Sequence, residues 1–185
     1  MNIKSIDLRS DAAENSIMQT ITIAVSAILI AAGLVTAPGL INNARDNNAT
    51  TDLANIAFAE EFNLANSGTY AASLVDLKAN TEAVIADGGS GPKITVSGGT
   101  WTAIDLDGDD AYSLVSVSQS GNVFLRNSTS GNTTNIGKVT FTGTGDSKAI
   151  GVYTPNAAGT AAVAGSAFYA DAAALKAVVE GAAKS

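Results

Sequence analysis

The sequence predicts an α+β protein: a long amino-terminal α-helix, apolar in its first half, packed against an antiparallel β-sheet head domain, with a further helix at the carboxyl end. Three observations predict it. Ile17 to Ile41, IMQTITIAVSAILIAAGLVTAPGLI, carries no charged side chain, and at about 1.5 Å of rise per residue such a run reaches roughly 37 Å as a helix, enough to cross a bilayer core of about 30 Å. Beyond Lys78 the pattern changes to short alternating stretches separated by Gly- and Asn-containing turns. In the tail, Phe168, Ala172, Leu175 and Val179 recur at spacings of three and four, the mark of one apolar helix face over Ala167 to Ala183.

Composition narrows the function classes. A chain of 185 residues suffices for one domain of ordinary size with an appended helix. Asp and Glu outnumber Lys and Arg 17 to 10, which argues against nucleic acid as a partner, because phosphates demand a basic surface. The chain has no cysteine and no histidine. The first absence removes disulfides and thiolate chemistry; the second removes the commonest general base near neutrality and the commonest transition-metal ligand. No enzyme is expected.

Residues 1–16, MNIKSIDLRSDAAENS, form a polar leader with Lys4 and Arg9 set against Asp7, Asp11 and Glu14. The positive-inside rule puts the leader in the cytoplasm and the bulk of the chain outside, weakly, because the charge is mixed. A removed secretory signal is the alternative. The run is longer than the usual apolar core of such a signal and no clean small-residue cleavage site closes it, which favours a retained helix. Within residues 17–41, Thr20, Thr22, Ser26 and Thr36 can return their hydroxyls to the preceding turn. Ala24, Ala27, Ala31, Ala32 and Gly33 are small enough for close helix-to-helix packing. Pro38 and Gly39 are expected to kink the helix or melt a turn.

Residues 42–66 continue as an amphipathic helix. Ala54, Ala57, Phe58, Phe62 and Ala65 make its apolar stripe, with Arg45, Asp46, Asp52 and Glu60 mostly elsewhere, and Asn66-Ser67-Gly68 stops it. The head follows as residues 67–153, opening on Thr69-Tyr70-Ala71-Ala72-Ser73-Leu74-Val75-Asp76-Leu77.

This order of parts resembles the type IV pilins and pseudopilins: a polar leader, an apolar helix with a late proline, an amphipathic continuation, then Asn-Ser-Gly-Thr-Tyr and Ser-Leu-Val-Asp-Leu. In that family the last two motifs mark the hand-over from the long helix to the globular head. The resemblance covers roughly residues 15–80. It implies a pilin-like fold and a structural subunit of an extracellular filament. Ile21, Val25, Ile28, Leu29, Leu34 and Pro38 would lie in the filament-core helix. The partners it implies are copies of the same chain in a helical homopolymer, the inner or cytoplasmic membrane before assembly, and a pilus assembly machinery. Family precursors carry a glycine before the cleavage point and a glutamate shortly after it. A mature chain beginning near Ile17 would put Ile21 at the glutamate's place; one beginning near Ser10 would keep Glu14 close to the new terminus, as in the small alanine-rich pilins of tight-adherence systems.

The alternating region predicts strands at Lys93 to Ser97, Thr100 to Leu106, Ala111 to Ser118, Asn122 to Arg126, Gly137 to Thr142 and Ala149 to Tyr153. Glu82 to Ala86 would end a short helix before the loop Asp87 to Pro92. Hairpin turns fall at Gln119 to Asn122, Thr129 to Asn132 and Gly143 to Asp146. A sheet of about four to six strands fits, with Trp101, Tyr112, Phe124 and Phe141 as packing residues. Residues 154–185 read as a linker followed by the carboxyl-terminal helix.

Two sets of residues invite chemistry. Asp105, Asp107 and Asp109 surround a glycine turn, and hard cations such as calcium take oxygen ligands from loops of this kind. A turn between strands explains the same letters, since Asp and Gly favour turns in their own right. No other cofactor is expected. Asn48, Asn127 and Asn132 head Asn-x-Ser/Thr triplets and are glycosylation candidates. The sequence thus points to a structural subunit of a type IV pilus-like filament. The alternative of another class is a monomeric, single-pass, membrane-anchored surface binding domain.

Overall fold

The computed structural model describes residues 37–108, 110–143 and 149–165. The chain divides into two units, Met1–Asn42 and Asn43–Ser185. Of the first, residues 37–42 are described; they are helical and exposed. The remainder concerns the second.

Helix α1 comprises residues 37–67 without interruption. Pro38 and Gly39 are themselves helical; the turn before them, where the expected kink or melted turn would fall because Pro38 cannot bond back to residue 34, lies outside the described residues. The stop at Asn66-Ser67-Gly68 is present. Gly68 takes φ 79° and its amide closes on the Leu64 carbonyl at 2.8 Å, a left-handed helix end that a side chain would strain.

The buried face of α1 differs from the expected stripe. Ala49, Leu53, Ile56, Ala57 and Ala59 are buried together with Asp52, Glu60 and Asn63, whereas Phe58 is 65% exposed and Ala54 and Ala65 are exposed as well. Residues 49, 53, 56, 60 and 63 follow the alternating four-three spacing of one helix face. The large side chain at 58 lies outside it, and a carboxyl at 60 lies within it.

After a connector, helix α2 spans Leu74–Ala86. Ser73 caps it: the Asp76 amide donates to the serine hydroxyl at 3.1 Å, and that hydroxyl donates to the Asp76 carboxylate at 2.7 Å. Only Leu77 and Thr81 of α2 are buried. The segment Lys93 to Ser97, expected as a strand, forms none. Pro92 withholds an amide at its start, and at its end the Ser97 amide goes to the Asp52 carboxylate at 2.8 Å instead of a ladder. Ile94 and Val96 still pack against the core.

Five antiparallel strands follow, β1 Trp101–Leu106, β2 Tyr112–Val117, β3 Asn122–Asn127, β4 Thr133–Thr142 and β5 Ala149–Pro155. They lie in the order of the sequence, so each pairs with the next. Such a meander needs only short hairpin connections. The turns at Gln119 to Asn122 and Thr129 to Asn132 lie where the sequence puts them, with the Gly121 amide on the Ser118 carbonyl at 2.9 Å and the Gly131 amide on the Asn127 carbonyl at 3.0 Å. The pairing slips between Val123 and Phe124 against β4, and again between Val139 and Phe141 against β5. Bulges of this kind bend strands, and the sheet is curled.

Both faces of the sheet are therefore packed. On one, Ile104, Tyr112, Leu114 and Phe124 meet Leu53, Ile56 and Ala57 of α1. On the other, Ala103, Val115, Val117, Val123, Ile136, Val139, Ile150 and Tyr153 form a second core, flanked by Trp101 and Phe141, whose rings lie 5.1 Å apart. Residues 157–165, expected within a linker, form helix α3, Ala157–Gly165. Asn156 caps it, accepting from the Gly159 amide at 2.9 Å. The bulged residue Ile136 offers its carbonyl to the Tyr153 hydroxyl at 3.0 Å and to the Asn156 amide at 3.0 Å. At Gly159 a Cβ would come within 1.8 Å of that oxygen, so only glycine lets α3 sit there. The expected helix Ala167 to Ala183 lies outside the described residues.

Candidate functional site

Where α1 meets the sheet, each buried or half-buried acidic residue of the helix holds a different piece of the head. Asp46 accepts from the Ser120 hydroxyl and from the Asn122 amide group, and so ties down the β2–β3 turn. Asp52 accepts from the Ser97 amide at 2.8 Å and from its hydroxyl at 3.0 Å, fixing the segment that leads into β1. Glu60 accepts from the Ala71 amide at 2.9 Å, fixing the connector to α2. Asn63 assists there, donating to the Thr69 carbonyl at 2.9 Å.

Glu60 stands apart from the other two. Its side chain is fully buried, yet among the described residues its Oε1 has no hydrogen-bond partner. Burial pushes its carboxyl up from the ordinary 4.5 to about 7, against the opposing pull of the Ala71 amide, with the neighbouring Glu61 adding to the rise. An orphaned oxygen in such a place costs its full desolvation.

An aromatic pair borders this corner. Tyr70 and Tyr112 meet edge to face with ring centroids 4.8 Å apart, and both hydroxyls donate to Glu61 Oε1 at 3.3 Å. Burial, reinforced by the Glu61 carboxylate, raises the pKa of both hydroxyls. They remain protonated donors near neutrality. The sequence motifs named Tyr70 and Ser73 as parts of a hand-over; the roles of Glu60 and Asn63 there have no sequence signal, because their partners are set by the path of the connector.

The other candidates fall as follows. Asp105 is half-buried on β1, and burial followed by the Asp107 carboxylate raises its pKa. Asp107 lies in the β1–β2 turn, its amide on the Ala111 carbonyl at 2.8 Å. Asp109 lies outside the described residues. Among the described residues no three acidic groups gather as a metal site would require. Asn48 is exposed on α1 and Asn132 is exposed beyond β3. Asn127 ends β3 with its side-chain oxygen accepting from the Ser130 amide at 2.9 Å. Of the filament-core candidates, Ile21, Val25, Ile28, Leu29 and Leu34 lie outside the described residues, and Pro38 is helical and exposed. Among the described residues no helix is long and apolar enough to cross a membrane. No family model, curated protein or solved structure matches the chain.

Proposed function

We propose that the chain is a structural subunit of an extracellular, type IV pilus-like filament, pilin-like in fold. In this reading the uncharged run at residues 17–41 is held in the cytoplasmic membrane before assembly and then packs against the same run in other copies, while the sheet domain coats the polymer. An assembly machinery extracts the subunit from the membrane, and the subunit itself catalyses no reaction.

One observation carries the reading. The uncharged stretch ends inside a helix whose later part, from residue 43, is fastened to an antiparallel sheet by three carboxylates, with a glycine stop and a serine-capped second helix at the hand-over. A helix held so firmly at one end suits a part that must transmit load. The acidic balance of the chain, 17 Asp and Glu against 10 Lys and Arg, suits a solvated coat.

The test is to shear the surface fraction from cells and image it by negative stain, with mass spectrometry of the amino terminus in the same material. Thin fibres containing this chain are expected. Recovery of the chain only as detergent-dependent single molecules in the membrane fraction would overturn the proposal in favour of a monomeric anchored binding domain.

A further inference from the structure

The connector between α1 and α2, residues 68–73, is held from both sides of a single acidic side chain's decision to keep or release a proton. Glu60 is fully buried; Oε2 takes the Ala71 amide at 2.9 Å, and Oε1 meets no donor. A neutral carboxyl tolerates that environment. An ionised one places charge on a buried oxygen that no donor among the described residues reaches, and the nearest relief is to expose the pocket. The segment that would have to move is held by the Glu60 and Asn63 bonds, by the buried Ala71, and by Tyr70, whose ring packs on Tyr112 and whose hydroxyl donates to Glu61.

We infer that Glu60 is a proton-operated latch on this connector: neutral, it stays shut against Ala71; ionised, it favours an open state in which residues 68–73 leave α1 and water reaches the carboxylate. The groups that reach this corner come from every neighbouring element. Glu61 lies on α1 itself, Tyr70 on the connector, Tyr112 on β2, Asp110 in the β1–β2 turn and Arg126 on β3. Glu61 repels charge on Glu60, while the cation, Arg126, acts on the Tyr112 hydroxyl. The latch does not depend on polymerisation and would operate equally in a single molecule.

The sign follows from linkage. Glu60 keeps its proton to about pH 7 when shut and releases it near 4.5 when exposed. The shut state is therefore fully favoured below 4.5 and loses ground as pH rises to about 7, by about tenfold in the opening equilibrium per pH unit. Beyond that it is constant.

Amide hydrogen exchange on the full chain in detergent micelles, corrected for the intrinsic pH dependence of exchange, reads this directly. The protection of the Ala71 amide is expected to fall by about two orders of magnitude from pH 4.5 to 7, to lie below that of Val115 in β2 throughout, and to become independent of pH in Glu60→Gln. In the unmodified chain the Glu60 carboxyl carbon, followed by NMR, should titrate near 7, which keeps the test open should the variant not fold. A Glu60 titration near 4.5, an Ala71 protection that does not change with pH, or equal protection of Ala71 and Val115 would each overturn the latch.

Discussion

Asp52 and Glu60 are eight residues apart on one helix and both buried, but they should answer mutation in opposite ways. Asp52 has a donor on each oxygen, the Ser97 amide and hydroxyl, so Asp52→Ala leaves two partly buried donors unmatched and should cost about 1 kcal/mol or somewhat more. Asp52→Asn, which keeps one acceptor, should cost less. Glu60 has a donor on one oxygen only. Glu60→Gln retains an acceptor for the Ala71 amide and abolishes the charge, so above pH 7 it should stabilise the fold, by about 3 kcal/mol at most from the rise in its pKa. Below pH 4.5 the gain should vanish, because the native side chain is then already neutral. Denaturant titrations at pH 4 and pH 8, followed by the fluorescence of the single tryptophan, Trp101, would separate the two behaviours. Gly159 is a third case, decided by space alone. A methyl group 1.8 Å from the Ile136 carbonyl must push α3 off the β4 bulge, and Gly159→Ala should cost about 1–3 kcal/mol by overpacking.

At the scale of elements, the face of α1 is the instructive feature. Phe58 and Phe62 dominate any sequence reading of that helix, so the apolar stripe drawn through them includes Ala54 and Ala65. The packed face instead passes through Ala49, Leu53, Ile56 and Glu60, nearly half a turn away at about 100° per residue. Sequence alone could not show this, because the partners that make a buried Asp or Glu tolerable are backbone amides at Ser97 and Ala71, distant along the chain. The hairpins were legible for the opposite reason: Ser120-Gly121-Asn122 and Ser130-Gly131-Asn132 determine their own turns locally. The same contrast explains the segment at Lys93 to Ser97, whose alternation suits a strand but whose last amide is claimed by Asp52, and α3, whose Asn156 cap lay within a stretch read as linker by its Ala and Gly content. A direct comparison follows. Leu53→Ala removes a fully buried side chain and should cost about 2–5 kcal/mol. Phe58→Ser, at a position 65% exposed, should change the denaturation midpoint little, since surface substitutions stay within about 0.5 kcal/mol. If Phe58 proves the costlier of the two, the packed face of α1 is misassigned.

For the whole molecule, the distribution of buried residues predicts what survives division of the chain. Among the described residues the core begins at Ala49 and continues through Tyr153, and the two hydrophobic clusters draw every member from that interval. The carboxylate ties run from Asp46 onward, to Asn122, Ser97 and Ala71. All of these lie within Asn43–Ser185. A chain starting at Asn43 therefore keeps both cores and every tie, and removes the stretch that carries no charge. It should fold without detergent, run as a monomer by light scattering, and unfold in one cooperative transition reported by Trp101. It should also be unable to enter fibres made by the full chain, because in the proposed filament the joining surface lies in the part removed. An aggregated or non-cooperative product would mean that the head needs residues before 43 for its own stability. Incorporation of the folded fragment into fibres would instead place the joining surface on the sheet domain and leave the uncharged run as an anchor.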